Sequence, residues 1–140
     1  NIKISNGVIE TDVNYEETEN RIREEKLSGM LERDRMEYYV SNFINLLEKK
    51  EYEKAYGLLY EDFKAQYFPT AGQFQTYVES KFSSMMNLEF TNIERNGDVY
   101  VLWVNMQDAI NGNKNELEEY NFVVRENAIN DVDISFSVKE

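Results

Sequence analysis

The sequence predicts an α+β domain, helices first and an antiparallel meander after them. Three observations predict it. Apolar residues recur at helical spacing from Met36 to Phe82. After Ser84 the spacing drops to two, and it stays there to Val138. Within that second half Asn96-Gly97 separates two apolar alternations, which is the strongest short-range hairpin signal a sequence offers.

Residues 1–14 hold a short alternation around Asn6-Gly7 and are read as an extended tether rather than a small hairpin. Residues 15–35 are dominated by charge, acidic first and mixed later. That order suits a helix dipole and pairs such as Glu17 with Arg21. Their few apolar positions, Ile22, Leu27, Met30 and Leu31, leave two readings open: a solvated helical stalk, or a helix packed on the core. Gly29 is a candidate break. The domain proper is expected over 36–138.

Met36, Tyr39, Val40, Phe43, Leu46 and Leu47 form the first helical stripe, with Lys49 and Lys50 at the end where cations are favoured. Tyr52, Ala55, Tyr56, Leu59 and Phe63 predict a second helix, and Lys64 to Phe68 a connector or short strand. Thr70 and Gln73 have the spacing of a capping box, which predicts a third helix carrying Phe74, Tyr77, Val78 and Phe82. Four strands follow: one around Leu88 and Phe90, then Val99 to Gln107, Leu117 to Arg125, and Ile129 to Val138, the last two joined by a turn at Glu126-Asn127.

The Val99 to Gln107 strand is apolar on both faces. Val99, Val101 and the only tryptophan, Trp103, share one side, and Tyr100, Leu102, Val104 and Met106 share the other. One face should meet the Met36–Leu47 helix. The other needs a cover: the stalk, a second copy of the chain or a different protein. Ile93 and Val123 are expected beside Trp103, and together Val99, Val101, Trp103, Ile93 and Val123 make the candidate interface. If the faces are reversed, Trp103 is core and Leu102 and Met106 form the patch.

Composition narrows the chemistry. The formal net charge is −12 at pH 7. Residues 86–140 carry much of it, with 11 acidic and 4 basic side chains. Such a surface repels phosphate backbones and anionic headgroups, so no nucleic-acid partner is expected. The chain has no Cys and no His. Cysteine or serine–histidine mechanisms and histidine-bound metals are thereby excluded within these residues. Asp108, Asn111, Asn113, Asn115 and Glu116 gather oxygen ligands in one loop, but their spacing is not that of a calcium-binding EF-hand, and a polar hairpin loop is the expectation. No cofactor and no metal are expected, and the chain is read as not an enzyme.

The stretch "FINLLEKKEYEKAYGLLYEDFKAQYFPTAGQFQTYV" carries a resemblance. A helix ending in "EKKEYEKAYGLL", an aromatic "F/Y-P-T-x-x-x-F-x-x-Y" helix and then long strands resemble the nuclear-transport-factor-two-like superfamily. The resemblance covers roughly Met36 to Val138. It implies three N-terminal helices packed on a curved four-stranded antiparallel meander, a cone-shaped roll. A stalk before such a cone is similar to extracytoplasmic, membrane-tethered members, including VirB-eight-like assembly factors of type IV secretion and Gram-positive conjugation. That implies a non-catalytic domain that recruits a protein partner or self-associates through the outer sheet face, and that meets the membrane only through a preceding N-terminal anchor or leader. Enzymes of the superfamily put an acid, a His or a Tyr inside the cone. The alternative is therefore a small-molecule or isomerase-like pocket around Tyr39, Tyr56 and Tyr120, with Tyr38 a further donor and Glu61 or Asp62 as base.

Overall fold

The computed structural model describes residues 17–109 and 118–139. Five helices precede a four-stranded sheet: α1 over 17–28, α2 (Glu32–Glu48), α3 (Tyr52–Gly57), α4 (Glu61–Tyr67), α5 (Ala71–Lys81), β1 (Met86–Asn96), β2 (Val99–Asp108), β3 (Glu118–Ala128) and β4 (Asp131–Phe136). The strands pair in sequence order, every neighbour antiparallel, and the fold is α+β.

The helices pack on one face of the sheet. Met36, Tyr39, Val40, Phe43, Ile44 and Leu47 of α2 are buried. They meet Tyr100, Leu102, Val104 and Met106 of β2, Tyr120, Phe122 and Val124 of β3, and Val132, Ile134 and Phe136 of β4 in one core cluster. Its centre is aromatic. The Phe43 ring lies 6.2 Å from Phe74, 6.3 Å from Phe122 and 6.2 Å from Phe136, in tilted and edge-on geometries that suit ring quadrupoles.

Two expected elements differ. The helix expected over Tyr52 to Phe63 is two helices, α3 and α4. Between them Leu58–Tyr60 runs alongside β4. Tyr60 N–H donates to the Ile134 carbonyl at 2.9 Å, and Ile134 N–H donates to the Leu58 carbonyl at 2.8 Å. Pairing with a sheet edge satisfies these backbone groups in place of one more helical turn, and it covers the β4 edge at this point. Residues Lys64–Tyr67, expected as a connector or strand, are the end of α4. The capping box at Thr70 forms as its spacing predicts. Thr70 Oγ accepts from Gln73 N–H and Gln73 Oε1 accepts from Thr70 N–H, both at 3.2 Å.

The boundary drawn between residues 35 and 36 falls inside α2, whose first turn starts at Glu32. Gly29 and Met30 form the turn that ends α1, and Leu27 is only 1 % exposed, within the core cluster. The β3–β4 connection also moves. The strands continue past Glu126, with a bulge between Glu126 and Ala128, and turn at Ile129–Asn130. Asn130 takes the left-handed φ of 68° that its short amide side chain tolerates. At Asn96-Gly97 the hairpin forms as expected. Gly97, at φ 71°, opens a two-residue loop whose mirror-image twist matches the strands.

Candidate functional site

Strand register assigns each residue of the sheet to a face. Val101 pairs with Val123 on β3, Trp103 with Asn121, and Val99 with Arg125. Directly opposed residues share a face, so Val99, Val101, Trp103 and Val123 form one apolar stripe across β2 and β3. None of the four belongs to the core cluster, and each is half-buried. Tyr100, Leu102, Val104 and Met106 are the inner face, so the faces are not reversed.

Ile93 does not join the stripe. A bulge lies between Phe90 and Asn92, and beyond it Ile93 pairs with Leu102 on the inner face. There Ile93 packs against the core cluster. An extra residue inverts the alternation of every side chain that follows it. Without the bulge Ile93 would point outward, as expected from period two. The positions beside Trp103 and Val101 on β1 are instead Asn92 and Glu94.

The described part of the N-terminal region approaches the helical side. Leu27 enters the core cluster, and a cleft of about 280 Å³ between α1 and α2 is lined by Ile22, Arg23, Lys26, Met30 and Tyr38 among others. Among the described residues no buried helix side chain lies outside that inner cluster.

The rim of the outer face is acidic. Register and alternation put Glu89, Glu94, Glu119, Asp131 and Asp133 on this side. Among the described strand residues Arg125 is the base on this side, between Val99 and Asp133, its guanidinium 4.8 Å from the Tyr60 ring centre. Among the described residues none of the five carboxylates forms a salt bridge. Lys139 lies beside Glu119, but its ammonium is engaged by the Glu119 carbonyl at 2.6 Å and the Tyr120 ring at 4.9 Å.

The three tyrosines considered for a pocket stand apart, each with its own hydroxyl partner. Tyr39 donates to Glu126 at 2.7 Å. Tyr56 donates to the Phe68 carbonyl at 2.7 Å. Tyr120 shares a hydrogen bond of 3.2 Å with Tyr77, beside a cleft of about 250 Å³ lined by Lys81, Phe82, Met86, Met106 and Asp108 among others. Tyr38 lines the α1–α2 cleft, while Glu61 and Asp62 are exposed in the first turn of α4. The space between α2 and the sheet is filled by the rings of Phe43, Phe74, Phe122 and Phe136. Among the described residues no buried side-chain nitrogen or oxygen lacks a partner. Of the oxygen-rich loop, residues 110–117 lie outside the described residues.

A polar network closes one end of the sheet. Arg35 donates from Nε and Nη2 to the two oxygens of Glu126, at 2.7 and 2.9 Å. Tyr39 donates to the same carboxylate, and its own oxygen accepts from Asn130 N–H at 2.8 Å. Burial alone would raise the Glu126 carboxyl, but the bonds from Arg35 and Tyr39 outweigh it and hold it below its ordinary value. The bonds to Glu126 also raise Arg35. Burial first, then the bond to Glu126, pushes Tyr39 up to about 12. Next to it Tyr100 donates to Glu32, which also accepts from Arg95 at 2.9 Å, and burial with that bond lifts Tyr100 to about 12. Burial, then the bond with Tyr77, moves Tyr120 upward too. Each of these groups is engaged within the fold, and the bonds of Glu32, Arg35 and Tyr39 act as a clasp between α2 and the sheet.

No family model, curated protein or solved structure matches this chain. Among the described residues no helix is long and apolar enough to cross a membrane.

Proposed function

We propose that this chain is a non-catalytic protein-interaction domain that docks a partner chain on the outer face of its sheet. The observation that carries the reading is the stripe Val99, Val101, Trp103 and Val123, which lies outside the core cluster at the centre of the sheet. Tryptophan is enriched among the residues that anchor interfaces, and an apolar centre with a polar rim is their usual anatomy. The tyrosine hydroxyls serve the fold, which favours docking over a pocket reaction. The order of elements, helices before a four-stranded meander, is what the chain shares with the nuclear-transport-factor-two-like superfamily. By that resemblance the domain is proposed to work as an extracytoplasmic assembly factor, which fractionation of the native cells with an antibody to the domain tests.

The docking role is tested with the paired substitutions Val101→Thr and Val123→Thr, which keep β-branching while adding hydroxyls. Association is followed by sedimentation and by affinity capture from native cells. The expected result is that captured partners or self-association are lost while the folding midpoint stays near that of the parent. A parent that is monomeric and captures the same proteins with and without these substitutions refutes the reading.

A further inference from the structure

We infer that the docking partner is a basic amphipathic segment, apolar on one face and flanked by lysine or arginine, and not a second copy of this chain. This rests on reading the outer face as a docking surface, and it adds the chemistry of what docks there. Charge complementarity selects this partner. The stripe is bordered along β1 by Glu89 and Glu94, along β3 by Glu119, and along β4 by Asp131 and Asp133. Glu94 stands directly beside Val101, and Glu89 and Glu119 flank Asn105 from opposite sides, two residues beyond Trp103. Glu89, Glu94, Glu119 and Asp131 are exposed, and Asp133 is half-buried and accepts from Asn127 at 3.1 Å.

The nearby cations form no ion pair with this rim, and its five carboxylates outnumber them. Arg125 packs over Tyr60, and Lys139 is engaged by a carbonyl and a ring. Among the described residues, two copies closed face to face would double the five rim carboxylates while adding only a second Arg125 and a second Lys139. That like-charge crowding opposes self-association in a chain whose formal net charge is already −12. A basic segment relieves it. Its cations meet the rim where water remains, and its apolar side covers Val99, Val101, Trp103 and Val123. The rim then sets specificity and encounter rate, and the stripe sets residence.

Trp103 is the only tryptophan, so its fluorescence reports occupancy of the face without a label. The probe is a synthetic helix of leucine and lysine at amphipathic spacing. Its counterpart carries glutamate in place of every lysine. The expected result is a blue shift of Trp103 emission with the lysine peptide alone. Binding should weaken about tenfold in the triple variant Glu89→Gln, Glu94→Gln, Glu119→Gln, the sum of three exposed ion pairs. A control triple variant on the helices, Glu53→Gln, Glu61→Gln, Glu79→Gln, makes the same change in net charge and should bind nearly as the parent does.

Equal weakening in the two triple variants overturns the inference, because attraction would then follow net charge alone. If the glutamate peptide binds as well as the lysine peptide, and Val101→Thr with Val123→Thr abolishes both, the docking face stands and its basic partner does not. If the parent sediments as a dimer that these threonine substitutions dissociate, a second copy is the occupant and the inference fails. If neither peptide moves the emission, the inference fails, and the docking face is judged by the association experiment alone.

Discussion

Replacing Arg35 by Met tests whether the clasp between α2 and the sheet is a coupled unit. The wild-type guanidinium gives two short, parallel hydrogen bonds to Glu126, at 2.7 and 2.9 Å. The side chains are 13 % and 12 % exposed, so water reaches them poorly. Arg35→Met keeps much of the aliphatic packing but leaves the Glu126 carboxylate with Tyr39 alone. Breaking a fully buried pair by removing one partner costs about 3–5 kcal/mol. Residual exposure and the surviving Tyr39 bond lower the expectation to about 2–4 kcal/mol at neutral pH. Glu126→Met in the same background removes the stranded charge, and apolar replacement of a whole pair is often close to neutral. The double variant should therefore be more stable than the sum of the singles by about 1–3 kcal/mol. Urea denaturation of the four proteins closes the cycle. The pH dependence has a definite sign. In the parent the folded-state Glu126 is depressed, so its contribution is present above the unfolded carboxyl value and lost as pH falls through the folded one. In Arg35→Met burial is no longer outweighed, and the folded protein gains stability on taking up that proton. The gap between the two proteins should narrow as pH drops from neutral to about 4. A single-variant cost below about 0.5 kcal/mol, additive cycles, or a gap that widens in acid would refute the reasoning.

Other outcomes follow from the same geometry. Tyr39 and Tyr100, both lifted to about 12, give stability that is complete below the ordinary tyrosine value near 10 and is lost as pH rises between the two. Alkaline titration followed by circular dichroism should show that loss, and Tyr100→Phe should shallow it. Ile93→Thr places a hydroxyl against the core cluster and should cost about 1–2 kcal/mol, whereas Val101→Thr on the outer face should cost about 0.5 kcal/mol or less. Equal costs in denaturant melts would place Ile93 back on the outer side. Phe43→Ala removes the ring at the centre of the aromatic cluster and should cost about 3–5 kcal/mol, while Thr70→Ala, which unmakes the capping box, should cost about 1 kcal/mol.

What the sequence alone determined is whatever local periodicity encodes. The stripe from Met36 to Leu47 identified the helix that meets the sheet, because burial on a helix repeats every third or fourth residue. Thr70 and Gln73 identified a helix start, and Asn96-Gly97 a hairpin, because both signals act within a few residues of chain. Alternation along β2 separated Trp103 from Leu102 without reference to any other strand. The tertiary structure decided where distant segments compete for the same backbone or charge. The bulge before Asn92 exists only relative to β2, and it carried Ile93 to the inside. The break between α3 and α4 answers to the edge of β4, which lies more than seventy residues away in Ile134. Arg35 read as the end of a charged stalk and Glu126 as part of a turn. Only the packed fold brought them together, 91 residues apart, and likewise drew acids from three strands around one apolar stripe. Local pattern divides an element into faces, but packing decides which face of a two-sided strand such as β2 is buried, and pairing register decides which residues share it; register is a property of two segments at once.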